Sequence, residues 1–135
     1  MNVPSIRVLI VDDDRAFREA ACAILTSLTH VDVVGSVESG AEAIAALPAL
    51  QPDVVLMDME MPGMTGIEAT REIKRAHPLV RVAIVTGHDW SWARDAALGV
   101  NADGFVSKAS FPMSSRVLFA GWVGLLAGYT NTLAA

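Results

Sequence analysis

Short apolar runs rich in β-branched residues recur along the chain at wide intervals. Each run is too short for a helix and too uniformly apolar for a strand with one face in water, which is typical of strands buried in a parallel sheet. The five predicted strands are Ile6–Val11, Val31–Val37, 53–58, Arg81–Thr86 and 103–107.

The segments between these runs carry apolar residues every three or four positions, which predicts amphipathic helices. Phe17, Ala21 and Leu25 mark one face of the first helix, and the same spacing predicts helices around 43–47, 67–74 and 90–98. A fifth helix is expected to begin near Pro112, because proline suits a first helical turn.

Capping and breaking residues agree with these boundaries. Asp14 is expected to cap the first helix, because its side chain can accept a hydrogen bond from a free backbone N–H group, and Ser39-Gly40 is expected to precede the second helix. Pro48 and Pro78 are expected to close the second and third helices, and Asn101 to end the fourth in the left-handed conformation. Strands alternating with helices predict an α/β fold with a doubly wound parallel sheet of five strands.

Composition limits the classes of function. Hydrophobic residues make up 53% of the 135 residues and the net charge is −5, so a substantial core is expected and disorder is not. An acidic chain lacks the basic face that nucleic-acid binding by bulk electrostatics requires, so no direct nucleic-acid partner is expected. One cysteine, Cys22, and a start without an apolar leader indicate the cytoplasm.

The charge distribution divides the chain near position 109. All fifteen acidic residues and nine of the ten basic ones lie in residues 1–108, whereas residues 109–135 carry only Arg116. We therefore expect a domain core over 1–108 and an apolar C-terminal helix over 109–135, with no DNA-binding domain in this chain.

Polar side chains collect where the predicted strands end. Asp12 and Asp13 follow the first strand, Asp58 ends the third, Thr86 ends the fourth and Lys108 follows the fifth. Ligands of open parallel sheets bind outside the carboxyl ends of the strands. If the strand order is 2-1-3-4-5, the first and third strands are neighbours and the three aspartates converge in one crevice.

Three converging carboxylates repel one another, since two unit charges at about 4 Å cost about 4 kcal/mol at an effective dielectric constant near 20. A hard divalent cation offsets this repulsion, and few protein ligands with room for water suit Mg²⁺. With the Lys108 ammonium and the Thr86 hydroxyl, the set describes a phosphoryl-binding site in which Asp58 is a carboxylate nucleophile.

These residues and their neighbours resemble a known family. The segments VLIVDD (8–13), PDVVLMDMEMPG (52–63), VT (85–86) and GFVSK (104–108) are similar, as an ordered set, to the receiver domain of two-component response regulators. The stretches 86–89 and 102–104 resemble receivers of the LuxR/NarL type. The resemblance implies a flavodoxin-like receiver fold with strand order 2-1-3-4-5.

The resemblance also implies a role for each site residue. Asp58 would be the phosphoacceptor, loaded from the phosphohistidine of a sensor histidine kinase. Lys108 would pair with the phosphoryl oxygens, and Thr86 would swing to hydrogen-bond them while Phe105 repacks as the switch aromatic. The Mg²⁺ ion (Mn²⁺ is possible) would be held by Asp13 directly, by Asp12 mainly through water, by Asp58 and by the backbone carbonyl of Glu60.

Other functions remain open from the sequence. One is a stand-alone, phosphorylation-independent protein-interaction module. A second is an Asp-nucleophile phosphatase, although Glu60 stands where that class carries its second aspartate. A third is a flavin binder of the same fold, which the carboxylates after the first strand disfavour. We expect instead that the domain is a phosphoryl-accepting signalling receiver and not an enzyme. It is expected to regulate transcription through a DNA-binding domain outside this chain.

The apolar tail leads to a separate expectation. No formal charge follows Arg116, so one sheet face cannot cover every apolar side chain of a fifth helix. We expect a homodimer through this helix, with Trp122 and Leu126 near its centre. The rival to this dimer is a tail that leaves its own sheet and is swapped onto a neighbouring copy. A tail anchor in a membrane is disfavoured, because the apolar run is short and contains glycines.

Several other residues have plain structural interpretations. The methionines at 57, 59, 61 and 64 are expected to fill the core and the following loop, and not to bind Cu(I). Cys22 is expected to be a small core residue. His88 follows Thr86 closely but is not expected to act in catalysis, and Trp90 and Trp92 are either half-buried or exposed anchors for a partner.

Overall fold

The structure is a computed structural model that describes residues 4–88 and 91–126. For Leu125 and Leu126 it describes the backbone alone. Strands and helices alternate throughout these residues. The elements are β1 (Ile6–Val11), α1 (Arg15–Thr26), β2 (Val31–Val37), α2 (Gly40–Leu50), β3 (Val54–Asp58), α3 (Gly66–Ala76), β4 (Arg81–Thr86), α4 (Ser91–Gly99), β5 (Gly104–Ser107) and α5 (Phe111–Leu126).

The five strands form one parallel sheet in the order β2-β1-β3-β4-β5. This confirms the predicted fold class and the order that the resemblance implied. Every residue of β3 is buried, whereas β2 and β5 at the two edges are largely half-buried. The prediction of uniformly buried strands is therefore wrong for the edges, because an edge strand has a neighbour on one side only.

Helices cover both faces of the sheet. On one face α1 and α5 pack on the side chains of Val8, Ile10 and Leu56. On the other face α2, α3 and α4 pack on Leu9 and Val55, among others. Successive strand residues point to opposite faces, so each central strand contributes to both cores. This double cover leaves the carboxyl ends of the strands as an open edge for polar side chains.

Most of the predicted helix ends are confirmed. Asp14 Oδ1 accepts a hydrogen bond from Ala16 N at 3.0 Å, and Ser39 Oγ accepts one from Glu42 N at 3.1 Å. Asn101 has a φ of 62°, the left-handed conformation expected after α4. Helix α3 ends at Ala76, two residues before Pro78.

Pro48 does not close the second helix as predicted. Helix α2 continues through it to Leu50, and Gln51 N still donates to Leu47 O at 2.9 Å. The Arg7 guanidinium donates to the Leu50 carbonyl at 2.7 Å and so satisfies an acceptor at the helix end. Proline removes one donor in the last turn, while Gln51 N and Arg7 satisfy acceptors at the helix end itself.

Helix α5 differs from the expectation for an unpartnered apolar helix. It buries one face, formed by Phe111, Ser115, Phe119 and Trp122, in the core shared with α1. Trp122 is only 7% exposed and its ring lies 5.4 Å from that of Phe119, nearly perpendicular to it. The prediction that Trp122 sits at the centre of a dimer interface is therefore wrong, because the chain's own core covers it.

Some expectations fall on residues outside the described part. These are Trp90, the side chain of Leu126 and the tail from residue 127 onward. Within residues 4–88 and 91–126, no helix is long and apolar enough to cross a membrane.

We predict that the burial of Trp122 makes it a large contributor to stability. Trp122→Ala should lower the free energy of unfolding by about 3 kcal/mol, since it leaves a cavity between α5 and the sheet. Trp92→Ala is the matched control, because the Trp92 side chain is 55% exposed and its loss should cost less than about 1 kcal/mol. Urea denaturation measures both values, and equal losses would contradict the placement of Trp122.

Candidate functional site

Three aspartates meet at the carboxyl ends of β1 and β3. These strands are neighbours, with Val11 opposite Met57, so the residues that follow β1 lie beside Asp58. One carboxylate oxygen from each of Asp12, Asp13 and Asp58 lies within 4.8 Å of the other two. Asp12 and Asp58 are buried, whereas Asp13 is exposed. The convergence predicted from the sequence is thus present in the structure.

Lys108 brings a positive charge to these carboxylates from the end of β5. Its Nζ lies 2.8 Å from Asp12 Oδ2 and 3.6 Å from Asp58 Oδ1. Its backbone N–H donates to the Thr86 carbonyl at 2.8 Å, which fixes the base of the side chain to the end of β4. The ammonium therefore reaches across the crevice from the opposite side, and its closer partner is Asp12.

Burial and charge shift the pKa values of two site residues. Burial, followed by the neighbouring Asp12 charge, raises the pKa of Asp58 from 3.8 to about 7, although Lys108 and a hydrogen bond from the Glu60 backbone oppose the rise. Burial lowers the pKa of Lys108, but the carboxylates of Asp12, Asp58 and Asp14 outweigh it and the pKa lies above its ordinary value. Lys108 alone thus leaves the acidic cluster with excess negative charge.

The β1–α1 loop is held by hydrogen bonds to Asp12. Asp12 Oδ1 accepts from the Asp14 backbone at 2.8 Å, and the Arg18 guanidinium donates to the Asp12 carbonyl oxygen at 2.7 Å. These bonds orient one carboxylate oxygen and leave the other for the crevice. Sequence reasoning did not identify Arg18, because a single basic residue on an exposed helix face carries no distinctive pattern.

Gly66 supports Asp58 from the start of α3. Its N–H donates to the Met59 carbonyl at 3.0 Å, and a Cβ at this position would lie 2.0 Å from the Asp58 carbonyl oxygen. Any larger residue would therefore push the backbone of Asp58 or α3 aside. Sequence reasoning also missed this residue, although a glycine at a helix start shortly after a functional strand was a usable signal.

Thr86 and Phe105 border a single cavity of about 450 Å³ beside the crevice. The Thr86 side chain is buried, and its hydroxyl donates to the His88 carbonyl at 3.0 Å and accepts from the His88 N–H at 3.1 Å. Phe105 is half-buried, with the Arg94 guanidinium 5.2 Å from its ring centre. The Thr86 hydroxyl is thus hydrogen-bonded within its own loop, and the Phe105 side chain lines the same cavity as Thr86.

Glu60 and His88 connect the two loops at the mouth of the site. His88 Nε2 lies 3.4 Å from Glu60 Oε1, and both side chains are about half exposed, at 53% and 51%. The Glu60 side chain thus reaches His88 in the segment that follows β4. The sequence offered no sign of this contact, since it depends on the distance between two loops.

The three aspartates fit a divalent cation. Oxygen donors from the ends of two strands lie within 4.8 Å of one another, and burial, followed by the Asp12 charge, raises the pKa of Asp58 and so disfavours its charged form. From the described residues, Asp12 Oδ2 receives no aligned hydrogen bond, although the Lys108 ammonium lies close to it. Hard carboxylate oxygens in this arrangement suit Mg²⁺ or Mn²⁺.

The methionines and Cys22 follow the plainer interpretation. Met57, Met59 and Met61 are buried in the core between the sheet and α2–α4, and Met64 packs against it. Cys22 is half-buried on α1, with its Sγ 3.8 Å from Thr26 Oγ1. All of these side chains fill space in the fold.

Comparison with known proteins identifies the arrangement. The statistical model of the response regulator receiver domain matches residues 8–116. The response regulator GacA of Pseudomonas viridiflava is 38% identical over 120 residues, which cover 86% of this chain and 56% of GacA. The chain thus spans about half the length of this relative.

Two further comparisons show the range of proteins that carry such a segment. The crystal structure of a LuxR-family two-component response regulator from Aurantimonas sp. SI85-9A1 superposes with a TM-score of 0.81 at 32% identity, covering 92% of this chain and 86% of that one. Protein-glutamate methylesterase/protein-glutamine glutaminase 4 of Hahella chejuensis is 47% identical over 74 residues, which cover 55% of this chain and 19% of the relative.

The raised pKa of Asp58 predicts an unusual dependence of stability on pH. Its pKa of about 7 in the folded chain exceeds the ordinary 3.8, so the folded protein holds this proton more tightly than the unfolded chain does. Metal-free protein should therefore lose about 1–2 kcal/mol from this group as pH rises from about 4 to about 7, after allowance for screening by water.

Two comparisons in chemical denaturation isolate this contribution. Asp58→Asn should abolish that part of the pH dependence and be the more stable protein at pH 8 without metal. Mg²⁺ should stabilise the wild type more at pH 8 than at pH 5, because protons compete for the same carboxylate. Parallel pH profiles of the two proteins, or a Mg²⁺ effect independent of pH, would contradict the electrostatic account.

The close approach of Gly66 predicts that a single methyl group disturbs the site. Gly66→Ala should lower the free energy of unfolding by about 2–3 kcal/mol and weaken Mg²⁺ binding, since Asp58 or α3 must move. Gly99→Ala is the matched control, because a Cβ there meets no atom of its surroundings within 4 Å. Calorimetry and metal titration would measure both effects; a Gly66 variant as tight in Mg²⁺ binding as the Gly99 variant would contradict the assignment.

Proposed function

The chain belongs to the response regulator receiver domain family, and from that premise we propose that Asp58 accepts a phosphoryl group from the phosphohistidine of a sensor histidine kinase. The observation that carries the proposal is the convergence of Asp12, Asp13 and Asp58, with the Lys108 ammonium reaching Asp12 and Asp58 from the opposite side. This set combines a carboxylate nucleophile with charges that can balance a phosphoryl group.

We assign the transfer to one oxygen of Asp58. That oxygen attacks phosphorus, a new O–P bond forms, and the N–P bond to the kinase imidazole breaks with the electron pair leaving on nitrogen. The nucleophile must be ionised, so the Lys108 charge assists by opposing the effect of burial on Asp58. Water later attacks the phosphorus of the acyl phosphate, the bond from Asp58 to phosphorus breaks, and inorganic phosphate leaves while Asp58 returns to a carboxylate, which ends the signal.

Receiver domains typically bind Mg²⁺, and the acidic cluster is compatible with it. We propose Asp13 as the direct ligand, Asp12 as a ligand mainly through water, and the Glu60 carbonyl and Asp58 as the remaining protein donors; Mn²⁺ fits the same donors. The ion would supply positive charge to the phosphoryl oxygens during transfer. Lys108 would supply the second charge after a short shift of its ammonium from Asp12 toward Asp58.

We propose that phosphorylation is read through Thr86 and Phe105. The Thr86 hydroxyl would exchange its hydrogen bonds within the β4–α4 loop for one to a phosphoryl oxygen. The cavity that Thr86 shares with Phe105 provides room for the ring to repack as the hydroxyl leaves. The surface formed by α4, β5 and α5 would change as a result.

For the output, we propose regulation of transcription through a DNA-binding part of the parent protein, as the LuxR-family likeness suggests. A homodimer through α5 would use its outward face, where Met113 and Val117 are 72% and 69% exposed. Trp122 takes no part in this surface.

We propose that the chain acts as a signalling switch, with phosphorylation and dephosphorylation of Asp58 as its only chemistry. The methylesterase relative shares a segment that makes up 19% of its own length, so the activity in its name is not carried over to this chain. The Glu60 side chain pairs with His88, which disfavours it as the general acid of an Asp-nucleophile phosphatase.

The test is phosphorylation by a small donor. Incubation with acetyl phosphate and Mg²⁺ should add one phosphoryl group to the wild type, seen by intact mass and released by hydroxylamine. Asp58→Asn should add none. Asp53→Asn is the matched control and should be labelled like the wild type, because Asp53 precedes the same strand and accepts from Arg7 N at its far end.

Two outcomes would contradict the proposal. If Asp58→Asn is labelled to the wild-type level, the phosphoacceptor is a residue other than Asp58. A wild type that stays unlabelled both by acetyl phosphate and by a panel of histidine kinases would favour the phosphorylation-independent interaction module.

A further inference from the structure

The Lys108 ammonium has a third neighbour besides the two carboxylates. Its Nζ lies 4.7 Å from the centre of the Phe17 ring. The Lys108 side chain is 23% exposed, so water solvates the ammonium only in part. At this distance the negative face of an aromatic ring attracts a cation, and partial desolvation strengthens the attraction.

The Phe17 ring is fixed by the fold. It stands in the first turn of α1, directly after the loop that carries Asp12 and Asp13. On another side it contacts the Phe111 ring of α5, with centres 5.3 Å apart and planes at 74°. The half-buried ring therefore lies where α1, α5 and the end of β5 meet, between the Phe111 ring and the ammonium.

We propose that Phe17 is a positioning residue for phosphoryl transfer, whose ring holds the Lys108 ammonium within reach of Asp58. This inference rests on the proposed function. It concerns a residue outside the set of carboxylate, hydroxyl and ammonium groups discussed above, and one that the sequence pattern identified only as part of a core face.

An aromatic ring suits this task better than the alternatives. In the structure the ammonium is closer to Asp12 than to Asp58, so it must shift to contact phosphoryl oxygens on Asp58. A carboxylate in place of Phe17 would bind the ammonium and compete with the phosphoryl group. An aliphatic side chain would leave the ammonium desolvated without a partner on that side. A ring face attracts the cation over a broad area and carries no net charge, so it supports the ammonium in both positions.

The experiment compares three variants of the chain. Phe17→Leu removes the ring, and Phe17→Tyr retains an aromatic face at the same position. Phe119→Leu is the matched control, because Phe119 belongs to the same core and is buried on α5, where its ring contacts Trp122. Each protein is titrated with Mg²⁺ alone and then, at saturating Mg²⁺, with beryllofluoride as the phosphoryl analogue.

Phe17→Leu should weaken beryllofluoride binding about threefold to tenfold while Mg²⁺ affinity stays within about twofold of the wild type. Phe17→Tyr should restore the wild-type affinity. Phe119→Leu should lower the melting temperature and leave both affinities unchanged. In NMR spectra the Lys108 side-chain protons should lose their ring-current shift in Phe17→Leu alone.

The outcomes separate this inference from the proposed function. If the wild type binds beryllofluoride and Phe17→Leu binds it equally well, the role of Phe17 is wrong and the phosphoacceptor assignment stands. Equal weakening of Mg²⁺ and beryllofluoride, or failure of Phe17→Tyr to restore binding, would likewise reduce Phe17 to a packing role. A wild type that binds no beryllofluoride would contradict the proposed function and the inference built on it.

Discussion

The constraint on which this structure depends is the crowding of three carboxylates at one edge of a parallel sheet. Because β1 and β3 are adjacent and parallel, the residues after β1 and at the end of β3 necessarily meet. At the observed spacing the repulsion between two of them is worth about 4 kcal/mol at an effective dielectric constant near 20. A fold that keeps this cluster must supply positive charge to it.

Within the described site, Lys108 provides positive charge to the carboxylates. Lys108 arrives from β5, on the far side of the crevice, and its backbone is tied to β4. A single ammonium shared between Asp12 and Asp58 does not offset burial and the Asp12 charge, which together raise the pKa of Asp58. The remaining negative charge creates affinity for a divalent cation, and a cation with an ammonium can in turn bind a phosphoryl group. The repulsion among the three carboxylates in the free protein thus favours the binding of a cation.

The surrounding packing gives the site its geometry. Gly66 lets α3 approach the backbone of Asp58, and Arg18 fixes the carbonyl of Asp12. The layer formed by α1 and α5 brings Phe17 to the ammonium. Through the contact of Phe17 with Phe111, this layer also joins the site to the helix whose outer face we assign to the output.

Sequence patterns predicted whatever depends on short-range periodicity and on the ends of strands. The strands and the cap at Asp14 follow from local rules, whereas the convergence of the aspartates also required the strand order, which the family resemblance supplied. Features that depend on distances between elements escaped prediction. An apolar helix looks the same whether its own sheet or a second copy covers it, which is why Trp122 was misplaced. The end of α2 beyond Pro48 pairs with Arg7 of β1, and the approach of Phe17 to Lys108 depends on the meeting of α1 with β5.

The central claim is that burial and the Asp12 charge disfavour the ionised form of Asp58, and that a divalent cation stabilises it. The most direct test is an NMR titration of the Asp58 side-chain carboxyl carbon, with and without saturating Mg²⁺. Without metal the pKa should be about 7, and with Mg²⁺ it should fall by at least two units. A pKa near the ordinary 3.8 under both conditions would contradict the account, because the carboxylate would then need no cation.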